Sequence, residues 1–140
     1  MTTRQDALNL SALMSRQEME RSDLEVFTAA CVEALFFTDT GDAEQPAADT
    51  ELAPGTLADL QADCRSWWRR FGPYVLACRD KMPDAVRRAG HDFWLTRNGH
   101  GAGFWDGDWR GTPYADTFTE GAKAYGEFET YAGDDGLIYA

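Results

Sequence analysis

The chain has 140 residues, of which 44% are apolar and 13% aromatic, and a formal charge of −11. This is one domain's length, with enough bulky side chains to close a core without disulfides or a structural metal. It excludes a helical membrane span, because no apolar run reaches about 18 residues, and it disfavours a phosphate-binding surface, which needs clustered cations.

The charge is uneven along the chain. Residues 1–63 hold 13 acids and 3 bases, residues 64–90 hold 2 acids and 7 bases, and residues 91–140 hold 9 acids and 3 bases. An acidic surface of this kind suits partners that are themselves basic, including proteins whose usual ligand is DNA or RNA. Cys31, Cys64 and Cys78 have neither disulfide-framework nor zinc spacing. They are expected to be small buried hydrophobes in a reducing compartment. The first residues lack the apolar stretch of a secretory signal, so a cytoplasmic location is expected.

In chain order, residues 1–22 form a polar extension with scattered Leu8, Leu10, Leu13 and Met14, compatible with a frayed amphipathic helix. A single α+β domain is expected over residues 23–140. Ser22 or Asp23 is placed to cap a helix, and Leu24, Phe27, Cys31 and Leu35 recur at helical spacing. Val32, Phe36 and Phe37 widen that stripe, which predicts burial on more than one side. The helix is expected to end near Thr38, before a loop from Asp39 to about Leu52. A second helix starts at Pro54, with Thr56 and Asp59 resembling a capping pair. Leu57, Leu60, Cys64, Trp67 and Phe71 make an uninterrupted 3-4-3-4 stripe, and Gly72-Pro73 is expected to stop it. A shorter helical segment from Tyr74 to Ala89 follows, closed by Gly90.

After Gly90 the period reads as 2. Asp92 to Arg97 is rich in aromatic and β-branched residues, and Asn98-Gly99 is a strong type I′ hairpin signal. A two-residue turn there pairs Trp94 with Gly103 and Phe93 with Phe104. Residues 106–111 are a loop. Thr112 and Pro113 open another helix carrying Ala115, Phe118, Ala122 and Tyr125, ended by Gly126. Glu127 to Ala132 is a third strand, Asp135-Gly136 a turn, and Leu137 to Tyr139 a final strand. The expected architecture is α+β, with N-terminal helices packed on a small antiparallel sheet of ββαββ order.

Few residues point to chemistry. His91 and His100 are the only histidines, and His100 with Asp106 or Asp108 is the sole arrangement resembling a metal or general-base site. The aspartates 39, 42, 134 and 135 lack calcium-loop spacing and belong to turns. The glycine-rich run 97–103 leads into a strand pattern rather than a helix N-terminus, which argues against a phosphate cradle. No serine has nucleophile-elbow context. Trp94, Phe104, Trp105, Trp109 and Tyr114 cannot all face a core in alternating strands. Aromatics emerging beside arginine and histidine have the composition of a protein contact surface, and the other reading of the cluster is that most of them simply pack the helices.

The run GHDFWLTRNGHGAGFWD over residues 90–106 resembles the signature of a widespread family of small, uncharacterised proteins of phages, prophages and other mobile elements. AKAYGE at 122–127, YAGDDGLIY at 131–139, FTAACVEALFFT at 27–38 and LAPGTLADLQADC at 52–64 resemble it too. Together they cover roughly residues 23–139. The chain departs from the pattern at 67–82, where it is more basic. The resemblance implies no activity and transfers no functional residues. It does imply a role in host takeover or counter-defence.

The leading expectation is therefore a non-enzymatic protein, without cofactor, that binds and inhibits a host defence complex of the CRISPR or restriction kind. Its contacts are expected at the hairpin: Trp94, Arg97, Asn98, His100 and Trp105. Two other readings stand beside it. One is a small-molecule or metal site centred on His100, and the other is a nucleic-acid-binding regulator using Arg65, Arg69, Arg70, Arg87 and Arg88.

Overall fold

A computed structural model describes residues 4–38 and 52–140, with the side chains of 4, 15, 16 and 18–38 in the first of these segments. Four α-helices dominate: α1 (Arg4–Thr38), α2 (Pro54–Ala77), α3 (Ala85–Arg97) and α4 (Ala115–Lys123). A 3₁₀ turn (Gly107–Gly111) precedes α4, and two short antiparallel strands, β1 (Tyr131–Ala132) and β2 (Ile138–Tyr139), close the chain. The fold is α+β in the sense that helices carry a small two-stranded sheet. The ββαββ order is not present: residues 92–97 are helical and 100–105 form no strand.

The helical stripes give the core. Phe27, Cys31, Ala34 and Leu35 of α1 face Leu60, Cys64, Trp67, Phe71 and Val75 of α2, and Val86, Ala89 and Phe93 of α3 complete the layer. The stripe read along α2 is therefore the buried one, although Leu57 at its start is half-buried. The three cysteines are free and buried. Burial, and then the neighbouring Cys64, push the Cys31 thiol well above its usual range, which leaves it unreactive.

Several boundaries fall elsewhere than expected. Helix α1 runs through Ser22 and Asp23 without a break, so neither caps it, and Asp23 instead pairs with Arg79. Phe37 is 76% exposed, so α1 is buried on one face rather than two. Helix α2 passes through Gly72 and Pro73 to Ala77. The side chain of Thr56 does not cap α2; its Oγ1 accepts the amide of Ala140, holding the carboxy terminus against the start of the helix. The loop expected from Asp39, with the turn roles of Asp39 and Asp42, lies outside the described residues.

The largest correction concerns residues 85–100. Gly90 does not end a helix but sits inside α3, where an added Cβ would lie 2.2 Å from the carbonyl oxygen of Phe27. It is a close-approach residue that lets α3 lie on α1, the most extensive helix contact in the fold. Asn98-Gly99 ends α3 instead of turning a hairpin. The amide of Gly99 bonds to Thr96 and that of His100 to Leu95, with φ 71° at Gly99. That is the Schellman arrangement, which draws on the same positive-φ tolerance as a type I′ turn. Asn98 has φ −94°, incompatible with the hairpin.

The end of the chain is nearer to expectation. Gly126 has φ 73° just after α4, and Gly136 has φ 85° in the turn between β1 and β2. The Glu127 to Ala132 strand is reduced to Tyr131–Ala132, paired with Tyr139 and Ile138. Ile138 also bridges Leu52, and its carbonyl accepts the amide of Ala53.

Candidate functional site

The five expected contact residues divide between the interior and the surface. Trp94 is fully buried, and its indole N–H donates to Thr38 Oγ1 at 2.9 Å. Arg97 is 5% exposed and held by Asp63 at 3.0 Å and by the carbonyls of Gly126 and Tyr125. Asn98 donates to the carbonyl of Trp94 and accepts the amide of Phe128. Trp94 and Arg97 thus present no surface to a partner, and Asn98 is occupied in joining α3 to the segment after α4. The reason is the helical period: with α3 continuing to Arg97, Phe93, Trp94 and Arg97 turn inward together. Trp105, 41% exposed, and the half-buried His100 remain accessible.

His100 does not meet Asp106 or Asp108. It lines a shallow cleft of about 340 Å³ with Asn98, Glu127, Glu129 and Thr130. This adjoins a second cleft of about 560 Å³ that shares Glu127, Glu129 and Thr130 and adds Asp59, Tyr131 and the terminal Ala140. Tyr131 is 61% exposed. The two together form an acidic strip with an aromatic residue at one end.

Asp106 and Asp108 instead close a cleft of about 400 Å³ against α3, opposite Asp84, Arg87, Arg88, His91 and Asp92. Arg87, Arg88, His91 and Asp92 share one face of α3 because they recur at three- and four-residue steps, and Asp84 sits just before the helix. Arg88 bridges Asp84 and Asp108, and Arg87 pairs with Glu33 of α1. At the base of the cleft the Trp109 indole N–H donates to Asp92 Oδ2 at 2.6 Å. Asp106 accepts the amide of Gly103. Arg88 was expected only as a nucleic-acid contact, and neither His91 nor Asp92 was singled out with it as part of one site. Their polar i, i+3, i+4 spacing was available, but an expected strand over 92–97 dissolved it.

Asp92 is electrostatically frustrated. Burial, opposed by the Trp109 hydrogen bond and aided by the charge of Asp106, pushes its carboxyl up to about 6 from 3.8. The native state therefore holds a proton that the unfolded chain releases between pH about 4 and 6, and stability falls as pH rises through that window. A shift of about 2 units corresponds to about 2–3 kcal/mol above pH 6. Asp92→Asn is expected to raise unfolding free energy by about 1–3 kcal/mol at pH 7.5 and to leave it unchanged near pH 3.5. Urea denaturation at the two pH values checks this, and a loss of stability at pH 7.5 would contradict it.

Among the described residues, no group of three or more His, Cys, Asp or Glu side chains is placed to hold a metal ion. No helix among them is long and apolar enough to cross a membrane. No family model, curated protein or solved structure matches the chain.

Proposed function

We propose that this is an acidic protein-binding protein, carried by a phage or mobile element, that inhibits a host defence complex of the CRISPR or restriction kind. It does so without catalysis, by covering a basic, nucleic-acid-handling face of that complex. The observation that carries this reading is the fate of the one basic segment. Arg79 pairs with Asp23, Arg87 with Glu33, and Arg88 with both Asp84 and Asp108. These three of the segment's seven cations are paired within the chain, which adds to the acidic balance of the sequence as a whole. The strip of Asp59, Glu127 and Glu129, with Tyr131 exposed beside it and His100 at its edge, is the surface best suited to a cationic partner. Aromatic residues set among complementary charges are the usual anchors of such interfaces.

Of the five arginines of the nucleic-acid-binding reading, Arg87 and Arg88 are engaged by carboxylates, while Arg65, Arg69 and Arg70 stay exposed on α2.

Tagged chain is expected to recover one nucleic-acid-handling complex from lysate of the natural host, and excess DNA or RNA is expected to displace it. Glu127→Lys with Glu129→Lys should abolish recovery while leaving the melting temperature near that of the parent. Recovery of no such complex overturns the reading. So does direct binding of labelled DNA with an affinity that falls steeply with salt.

A further inference from the structure

We propose that two copies of this chain form a twofold dimer in which the amino-terminal half of each α1 lies antiparallel in the groove between α1 and α2 of its partner. The inference stands independently of the proposed function. It starts from an imbalance in α1, a helix of 35 residues and hence about 52 Å long. Among the described residues of α1 the first buried one is Phe27, and the described side chains from Ser15 to Ser22 are all exposed. A helical segment of that length is marginal in water unless an apolar face of it is packed. Residues 4–20 carry Leu8, Leu10, Leu13, Met14 and Met19, the last of them 62% exposed.

The groove supplies a surface for such a segment. It measures about 550 Å³ and is lined by Arg21, Leu24, Thr28 and Val32 of α1 and by Leu57 and Arg65 of α2. Leu24, Thr28, Val32 and Leu57 are only half-buried, so apolar area is left open to solvent. The lining holds two arginines against one acid, Glu25. What covers it follows from the spacing within α1. Leu10, Met14, Gln17, Arg21, Leu24 and Thr28 recur at steps of four and three, so by the helical period these positions share one face. The groove therefore continues the face on which Leu10 and Met14 fall. One antiparallel register sets Leu10 against the partner's Thr28, Met14 against the partner's Leu24 and Gln17 against the partner's Arg21. Glu18 then lies beside the partner's Arg21 and answers the excess of positive charge in the groove. Because the same patch serves both copies, the contact is self-complementary and closed.

Sedimentation velocity over a dilution series is expected to reach twice the chain's mass of 15.6 kDa. Met14 precedes the first buried residue described, so Met14→Lys leaves the core intact and should raise the dimer dissociation constant about tenfold or more. Arg21→Glu should weaken association as well, and adding Glu18→Arg to it should restore the dimer. Cysteine cross-linking fixes the direction of the helices. Met14→Cys combined with Leu24→Cys should give a covalent dimer on copper–phenanthroline oxidation. Met14→Cys alone should not, because this register holds the two copies of position 14 about 15 Å apart, beyond the span of a disulfide. A chain that stays monomeric at every concentration overturns the proposal. So does a dimer indifferent to both Met14→Lys and Arg21→Glu, or efficient cross-linking of Met14→Cys alone.

Discussion

Arg97→Ala is expected to lower the unfolding free energy by about 3–5 kcal/mol, the cost of leaving one half of a buried ion pair behind. The guanidinium side chain is 3% exposed, against 33% for Asp63, its partner at 3.0 Å. Its Nε donates to the carbonyl of Gly126 and its Nη2 to that of Tyr125. Three rings enclose it, those of Phe93, Tyr125 and Phe128, each with its centroid between 5.1 and 5.6 Å from the guanidinium carbon. Truncation would strand the Asp63 charge and two carbonyls, and would remove one of the contacts between α3 and the segment after α4, leaving that of Asn98. Arg97→Lys keeps the charge but supplies neither the planar fork nor its face-on packing, so it should recover less than half of the loss. Urea denaturation of both variants measures the difference. A loss under about 1 kcal/mol for Arg97→Ala would mean that Arg97 is free to act at the surface, as the sequence analysis expected.

Trp67→Ala should be comparably damaging, at about 3–5 kcal/mol. Its ring stacks between Phe27 and Phe104, with centroids at 5.2 and 5.3 Å, and meets Phe71, Phe93 and Phe118 within 5.6 Å. One side chain thus joins α1, α2, α3, α4 and the segment before the 3₁₀ turn, so its removal opens a cavity that no single neighbour can fill. The indole Nε1 is buried without a hydrogen bond, which indicates that the ring is present for volume and not for its polar atom. Trp67→Phe should therefore cost far less than Trp67→Ala, because the lost packing is offset by removal of an unsatisfied donor. The two melting temperatures, read by circular dichroism, decide the matter. Similar losses for both variants would show that the indole shape itself is required.

Periodicity located α2 well because its apolar positions keep helical spacing for four consecutive steps, and both the core and the local pattern agree there. Residues 90–106 were misassigned for a specific reason. The run from Asp92 to Arg97 is rich in residues that favour strands, and Gly90 and Asn98-Gly99 look like punctuation around it. In the folded protein, Gly90 answers to the carbonyl of Phe27 and Gly99 to a helix end. Neither constraint has a local signature. The expected contact residues inherited the error, since a change of period moves each side chain to a different face.

The sequence by itself determined the class of molecule: a chain of one domain's size with an aromatic core, free buried cysteines, a helix-dominated first half and a strong acidic excess. These properties depend on composition and on apolar spacing within single elements, which neighbouring elements do not alter. Only the tertiary structure decided which charges meet. Asp23 with Arg79, Glu33 with Arg87 and Asp63 with Arg97 are pairs separated by at least 34 residues. Their formation, with that of the Arg88 pairs, engages three of the seven cations of the basic segment and buries the arginine that looked most like a contact. The cleft at Asp92 likewise depends on the 107–111 turn folding back onto α3, because a carboxylate becomes frustrated only when another element removes its water.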